Sequence, residues 1–423
     1  MDRLESFMLG CLSAFIAFAY ISFKFRFLFN VKIVILSIFG FFLKLLVGYA
    51  FWELYMWPDY FTNQFSQMQF SHYEYLFTPR SMQKIAEYRL ENGFFSLPLE
   101  EFYYQKKYFF INYIMSNLFM SGSSNYFDLS IQNTLFSFYS AVIVSLIGFR
   151  FGGNRREVRL LFLLTFFQPL SINSAIIWRD VVGQFFFFSG VYFFLLSGFF
   201  RPVKAFFGVT IAALSMALLR TVYIFIPFLL AVKYMRDKSV SGSIAGKIFL
   251  LGLLATVVTI FFSTDLSLFV YDGYSTYLNH VLNVKFLLLL PVDILRTIIG
   301  PFPWINWFEF TDNTIFLVSH YLQAVYVVVI LYYTILNYKR CSYPFKFYLV
   351  LTLILLLIMA VAVTEVQSSY FSFAVALLLP ISAFYLSVTR FVISYTIVFY
   401  GFIVLNFIYI VAGFHGAGLG KFL

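Results

Sequence analysis

Charged residues are scarce in this chain of 423 residues, of which Asp, Glu, Lys and Arg together make up only 11%. A water-soluble domain of ordinary composition carries about 25%. Hydrophobic residues make up 61%, and apolar runs near the length needed to cross a bilayer recur from end to end. The shortage of charge therefore excludes a soluble domain large enough to act alone, and it indicates an integral membrane protein.

Cysteine is also rare, since Cys11 and Cys341 are the only two in the sequence. Two thiols so far apart indicate neither a disulfide framework nor a cysteine-based metal site. The four histidines show no His-x-x-x-His or similar spacing that would indicate a metal. We therefore expect no metal and no cofactor.

The apolar runs predict helices rather than barrel strands. Backbone in lipid must satisfy its own hydrogen bonds, and segments such as Ile315 to Leu336 lack the alternation that a barrel strand needs. The first run, Phe7 to Phe23, has no small-residue cleavage site and is expected to remain as an anchor. The sequence thus predicts an all-α, polytopic membrane protein with about twelve spans, forming a single transmembrane domain over residues 1–423.

The predicted spans are Phe7–Phe23, Ile33–Trp52, Ile131–Phe149, Leu160–Ile177, Val181–Phe199, Ala205–Leu219, Thr221–Val232, Ile248–Ser263, Ile315–Leu336, Phe347–Thr364, Tyr370–Ser387 and Phe391–Ala412.

Basic residues set the predicted orientation of these spans. They cluster at six places, and each gap between clusters holds an even number of spans. Short cytoplasmic loops carry an excess of Lys and Arg, so all six clusters are predicted to be cytoplasmic. The clusters are Lys24/Arg26/Lys32, Arg150/Arg155/Arg156/Arg159, Arg201/Lys204, Lys233/Arg236/Lys238/Lys247, Lys339/Arg340/Lys346 and Arg390. The net charge of +10 then reflects topology and not nucleic-acid binding.

This topology places the two longest segments, 53–130 and 264–314, on the outer face, with both termini also outside. Ser81 to Leu90 reads as an amphipathic helix on the membrane surface, and Phe102 to Phe119 as an interfacial helix. The short inner loops contain no nucleotide-binding motif. Any activated substrate must therefore arrive at the outer face or in the bilayer.

Polar residues interrupt apolar runs at the predicted outer ends of several spans. Ionisable groups in a helix bundle cost several kcal/mol to bury and are functional candidates by default. Simpler explanations are that Arg179 and Asp180 pair with each other, and that Arg220 snorkels to the interface. The residues at these ends are Arg179, Asp180, Arg220, Arg296, Glu365 and Gln367, with Trp304 after the Gly300-Pro301-Phe302-Pro303 helix breaker.

Three arginines on one membrane face suit a phosphate-bearing ligand, because guanidinium stays charged when buried and binds phosphate oxygens in a fork. Asp59, His280 and Glu365 are the candidate bases for activating a sugar hydroxyl. Asp59 follows Pro58 and fits an interfacial turn equally well, and a lone histidine is more often satisfied locally. Only Lys44 and His320 fall near mid-depth of a span.

The layout resembles the bacterial polysaccharide polymerases of the Wzy/EpsG type. The resemblance is carried by Ile177-Trp178-Arg179-Asp180-Val181 opening a span, Leu219-Arg220-Thr221 splitting a hairpin, and Leu295-Arg296 before Gly300-Pro301-Phe302-Pro303-Trp304. It implies that polyprenyl-pyrophosphate-linked glycans are joined into O-antigen, capsule or exopolysaccharide at the outer face of the bacterial inner membrane. It also implies a chain-length regulator and a flippase as partners. The predicted position of both termini on the outer face departs from the usual arrangement in these families.

Two other functions fit the same features. One is a GT-C-type glycosyltransferase or ligase that uses a polyprenyl-phosphate-linked sugar, with Asp59 as the base. The more distant alternative is a flippase or transporter of lipid-linked oligosaccharides, which should carry polar groups at mid-depth and often shows repeat symmetry.

Overall fold

The computed structural model describes residues 3–55, 84–96, 116, 126–150, 153–175, 179–196, 291, 314–340 and 387–411. Within these residues the chain is helical and contains no strand, which confirms the predicted all-α fold class there. The helices are α1 (Arg3–Lys24), α2 (Val31–Tyr55), α3 (Tyr126–Arg150), α4 (Arg155–Phe166), α5 (Pro169–Ile172), α6 (Arg179–Leu196), α7 (Thr314–Asn337) and α8 (Val388–Val411). Asn173–Ala175 and Tyr338–Arg340 form 3-10 turns, and residues 84–92 are also helical.

Most of these helices coincide with predicted spans. α2 contains the predicted Ile33–Trp52, and α7 contains the predicted Ile315–Leu336. Among the described helices, three hold apolar stretches long enough to cross a bilayer, at Val31–Tyr49, Ser130–Arg150 and Val388–Leu405. The total of about twelve spans stays a prediction. The predicted spans at 205–219, 221–232, 248–263, 347–364 and 370–387 lie outside the described residues, save Ser387 at the end of the last.

The surface of α8 is apolar and largely exposed. Only 6% of its apolar stretch, Val388–Leu405, is buried. Ile397 and Phe407 are each 66% exposed. A helix that is apolar all round belongs either in a protein core or in a bilayer. Because α8 is not buried in the described structure, its surface fits lipid, in agreement with a membrane protein.

The chain divides into two compact units, residues 1–143 with 173–272 (unit 1) and residues 144–172 with 273–423 (unit 2). In unit 1, an apolar cluster joins α1, α2 and α3 and consists of Ala14, Leu45, Ile131 and Leu135. In unit 2, an apolar cluster joins α7 and α8 and consists of Tyr321, Ala324, Val325 and Phe402. The single transmembrane domain expected from the sequence stays a prediction.

A capped turn between α3 and α4 carries exposed arginines of the second basic cluster. Asn154 Oδ1 accepts the backbone N–H groups of Arg156 and Glu157 at 2.9 and 3.0 Å, and Glu157 Oε2 accepts the Asn154 N–H at 2.8 Å. This capping box satisfies N–H groups that the first helical turn leaves free. The Glu157 carboxylate also offsets the arginine charges at the positive end of the helix dipole.

The predicted span Leu160–Ile177 is not one continuous helix. α4 ends at Phe166 after 12 residues, about 18 Å, and the chain continues as α5 and the Asn173–Ala175 turn. Pro169 explains the break, because it has no backbone N–H and its ring clashes with the preceding turn. The Ser171 hydroxyl donates to the carbonyl oxygens of Phe166 and Gln168 at 2.6 and 2.7 Å, which satisfies groups that the break leaves free.

The amphipathic helix predicted over Ser81 to Leu90 is observed over residues 84–92. Its Arg89 is buried, with Nε donating to the Phe94 carbonyl and Nη1 to Ser116 Oγ, both at 2.8 Å. These bonds connect the helix to the turn after it and to a second part of the 53–130 segment. The interfacial position of this helix stays a prediction.

Candidate functional site

Two of the predicted site residues fall within the described structure. Arg179 and Asp180 are the first two residues of α6. The remaining candidates lie outside the described residues: Asp59, Arg220, His280, Arg296, Trp304, Glu365 and Gln367. The gathering of three arginines around one cavity therefore stays a prediction.

α6 is held in unit 1 by aromatic contacts with α3. The Phe185 ring centroid lies 5.2 Å from that of Phe136 and 6.0 Å from that of Tyr139. Arg179 precedes Phe185 by six residues, or about 9 Å along the helix axis. The packing therefore places the start of α6 within about two turns of its contact with α3.

Lys44 is buried near the middle of α2, with 1% of its side chain exposed. Its Nζ donates a hydrogen bond to Ser137 Oγ of α3 at 2.8 Å. Lys44 lies five residues before Tyr49, where the apolar stretch of α2 ends, which is a depth of about 8 Å. An ionisable group inside an apolar span is expensive and marks a functional candidate.

Asn133 lies on the same face of α3 as Ser137, one helical turn away. It is 1% exposed, and neither its amide nitrogen nor its amide oxygen has a hydrogen-bond partner within the described residues. Its neighbours Thr134 and Ser140 instead donate to α3 carbonyls one turn earlier, both at 2.8 Å. Because an unpaired buried amide costs about 1–3 kcal/mol, Asn133 is an expensive residue to keep for packing alone. We call Lys44, Ser137 and Asn133 the polar row.

The turn Asn173–Ala175 packs against α2 at Gly48, one helical turn beyond Lys44. A Cβ at Gly48 would lie 2.8 Å from Ala175 Cβ and 3.5 Å from the Ala175 carbonyl oxygen. The close approach of turn and helix therefore requires glycine at this position. Ser174 of the turn is fully buried, and its Oγ has no hydrogen-bond partner in the described part of the chain.

The same turn relates the polar row to the predicted arginine site. Arg179 follows Ala175 by four residues, so their Cα atoms are at most about 14 Å apart. Ala175 contacts Gly48, and Gly48 lies about 6 Å along the α2 axis from Lys44. The polar row and Arg179 thus occupy neighbouring parts of unit 1.

Replacing Gly48 with alanine is expected to lower the melting temperature (Tm) of the purified protein in detergent. Ala175 Cβ is fixed to the backbone, so the turn must move, and such overpacking costs about 1–3 kcal/mol. Alanine gains up to about 1 kcal/mol in helix propensity, which only partly offsets this cost. Gly401→Ala in α8 is the matched control, because nothing lies within 4 Å of its added Cβ. Equal Tm values for the two variants, measured by intrinsic fluorescence, would contradict the close approach.

In unit 2, the break between α4 and α5 lies against α7. The Tyr326 hydroxyl donates to the Leu164 carbonyl at 2.8 Å. Gln168, at the break, is 2% exposed, and its Oε1 has no hydrogen-bond partner among the residues described. Discontinuous helices that border polar cavities are typical of transporters. In the sequence, this break could have been predicted from Gln168-Pro169, which interrupt an apolar run.

The polar row was only partly predictable from the sequence. Lys44 stood out as a mid-depth charge, and the structure adds its contact with Ser137. Asn133 and Ser137 were missed. Their spacing of four residues within an apolar run was the available signal, but small polar residues also occur in spans as simple packing contacts between helices.

Within the described ranges, no three His, Cys, Asp or Glu side chains come together in a group that could hold a metal ion. No protein-family model, curated protein or solved structure matches this chain. Functional conclusions therefore depend on the chemistry of the residues themselves.

Proposed function

We propose that this protein polymerises polyprenyl-pyrophosphate-linked oligosaccharide repeat units by glycosyl transfer at the outer face of the bacterial inner membrane. The observation that carries the proposal is Arg179 at the start of the apolar helix α6, which packs against the helix that carries Ser137 and Asn133. A helix N-terminus favours a phosphate group, and so does an arginine in the first turn of the helix. A polyprenyl pyrophosphate presents such a group at the membrane surface.

In the proposed reaction, a hydroxyl of the acceptor repeat unit attacks the anomeric carbon of the donor. A glycosidic C–O bond forms as the C–O bond to the pyrophosphate breaks, and polyprenyl pyrophosphate leaves with the electron pair. Arg179, Arg220 and Arg296 stabilise the negative charge that develops on this leaving group. These arginines supply the positive charge, so the proposed reaction does not call for a metal ion.

The acceptor proton passes to a base, for which the candidates are Asp59, His280 and Glu365. Asp180, Gln367 and Trp304 complete the proposed substrate-binding set. Asp59 follows α2, the helix that carries Lys44, by four residues. It is therefore the base candidate closest in sequence to the polar row.

A second candidate function is transport of a lipid-linked oligosaccharide. It is favoured by the buried polar row within α2 and α3 and by the discontinuous helix α4–α5. Transporters place polar groups and broken helices near mid-depth. The GT-C-type transferase, the nearer alternative from the sequence, is the other candidate, with Asp59 as its base.

Reconstitution into liposomes distinguishes the three functions. The purified protein is supplied with a polyprenyl-pyrophosphate-linked repeat unit, and the products are separated by size and identified by mass spectrometry. A polymerase yields lipid-linked products of two or more repeats together with released polyprenyl pyrophosphate. A transporter moves the substrate across the bilayer without new glycosidic bonds. A GT-C-type enzyme requires a polyprenyl-phosphate sugar instead, and a product formed only with that donor overturns the proposal.

We predict that Arg155 is cytoplasmic and Arg179 is outside. Arg155 belongs to a basic cluster predicted to be cytoplasmic, and one predicted span separates it from Arg179. Single cysteines at these positions, in a variant with Cys11 and Cys341 changed to serine, are treated in intact cells with a membrane-impermeant maleimide. Position 179 should label in intact cells, and position 155 only after the membrane is opened. Labelling of position 155 from outside would reverse the topology and remove the outer-face argument.

A further inference from the structure

The side-chain amide of Asn133 makes no hydrogen bond within the described residues. A primary amide offers two donor N–H groups and an acceptor oxygen. Both polar atoms are buried and have no hydrogen-bond partner in the described ranges. Asn133 lies one turn from Ser137, whose hydroxyl accepts a hydrogen bond from Lys44 Nζ. An amino group, a hydroxyl and an amide therefore lie along one buried contact between α2 and α3.

This combination of groups fits an anion better than a neutral sugar. Lysine binds phosphate oxygens as a point charge. The Ser137 hydroxyl that accepts from Lys44 can donate its own hydrogen to the same ligand, and the Asn133 amide adds further donors. A phosphate accepts hydrogen bonds from all three groups and adds a negative charge beside a protonated lysine, whereas a neutral polyol provides no charge.

The depth of the polar row fits a phosphate that is attached to a lipid. Lys44 lies about 8 Å inside the end of the apolar stretch of α2, on the side that leads into the 53–130 segment. Asn133 likewise lies on the side of Ser137 that leads back to this segment. A phosphate with a polyprenyl tail reaches this depth while its tail stays in lipid. Arg179 follows the Asn173–Ala175 turn, which contacts α2 at Gly48, and it is a predicted phosphate ligand within the described residues.

We propose that Lys44, Ser137 and Asn133 bind a phosphate group of the polyprenyl-linked donor, beside Arg179. The identity of the lipid rests on the proposed function, whereas the anion site rests on the geometry of the polar row. Binding at this site holds the donor by its phosphate during glycosyl transfer and orders Asn133, whose amide then gains partners.

Binding is measured with the full-length purified protein in detergent, using farnesyl pyrophosphate and inorganic pyrophosphate as the two probes. Farnesyl pyrophosphate should raise the Tm of the unaltered protein. Lys44→Met should weaken its binding about 10- to 100-fold, the usual effect of losing a charge-assisted hydrogen bond. Lys32→Met is the matched control, because Lys32 lies at the start of the same helix and is exposed. It should bind the probe with unchanged affinity.

Asn133→Leu separates a ligand-binding role from a structural one. Leucine has a similar size and removes an amide that makes no hydrogen bond in the described structure. The unliganded variant should therefore keep or raise its Tm, while its affinity for farnesyl pyrophosphate falls about 10-fold. A lower Tm without ligand would show that Asn133 is structural and would overturn the site.

The remaining outcomes separate the site from the proposed function. Equal affinity of the unaltered protein, Lys44→Met and Asn133→Leu overturns the site, even if the protein polymerises glycans. Binding that depends on Lys44 in a protein that forms no polymer keeps the site and overturns the polymerase. Inorganic pyrophosphate that binds as tightly as the farnesyl probe overturns the lipid-linked ligand in favour of a soluble anion.

Discussion

Alanine at Arg179, Arg220 or Arg296 is expected to abolish polymer formation while the protein still accumulates in the membrane. Each arginine is predicted to contact the pyrophosphate as it leaves with a growing negative charge. The loss of one such contact costs about 2–4 kcal/mol, or about 30- to 1,000-fold in rate. Lysine should restore only weak activity, because an ammonium cannot bind two phosphate oxygens in a plane.

Surface polysaccharide is analysed by gel electrophoresis, with immunoblotting of membranes to confirm that each variant accumulates. Arg156→Ala is the control. Arg156 is exposed on the first turn of α4 and belongs to a basic cluster predicted to be cytoplasmic. It should leave polymer length and amount unchanged. If a strain with both Arg220→Ala and Arg296→Ala made long polymer at normal levels, these arginines would be membrane anchors. The carboxylate-based GT-C alternative would then be favoured.

Asparagine at Asp59 is expected to slow glycosyl transfer by about 10²- to 10⁴-fold, the usual contribution of a general base. Asparagine keeps the size of the side chain but cannot accept a proton at the acceptor hydroxyl. Asp59→Glu should retain part of the rate, because the carboxylate remains but its position shifts. The reconstituted assay under single-turnover conditions measures this rate separately from product release.

His280→Gln and Glu365→Gln identify the base if Asp59 is not it. A full rate in Asp59→Asn together with a loss of at least 10²-fold in one of these variants would reassign the role to that residue. Normal rates in all three variants would contradict base catalysis by any of them. Glycosyl transfer would then be intact, and another group would have to accept the proton.

The polar row changes how the alternatives compare. The sequence showed polar residues mainly at one predicted face, with Lys44 as an isolated charge inside a span. The structure shows that Lys44 contacts Ser137 and that Asn133 lies one turn away, so this charge belongs to a buried group of polar side chains. Such a group fits either a phosphate site of an enzyme or a substrate site of a transporter. Reconstitution and the binding variants distinguish these two uses.

The positions of several helices were predictable because the bilayer imposes a simple physical rule on sequence. A segment that must satisfy its own backbone in lipid is helical and apolar over about 20 residues. The rule identified α2 and α7 with bounds close to those observed. It failed at Pro169, because the length and mean hydropathy of a segment do not depend on whether each residue has a backbone N–H. The continuous span expected from Leu160 to Ile177 is therefore two helices and a turn.

The sequence by itself determined that this is a helical protein with spans suited to a membrane, because scarcity of charge and length of apolar runs are local properties. Only the tertiary structure decided which polar residues meet. Lys44 and Ser137 are 93 positions apart, yet the packing of α2 against α3 brings Nζ and Oγ within 2.8 Å. The contact of Gly48 with Ala175 likewise depends on the turn that follows Pro169. Such contacts arise from the arrangement of helices that are each apolar on most sides, and the pattern along one helix does not specify its neighbours.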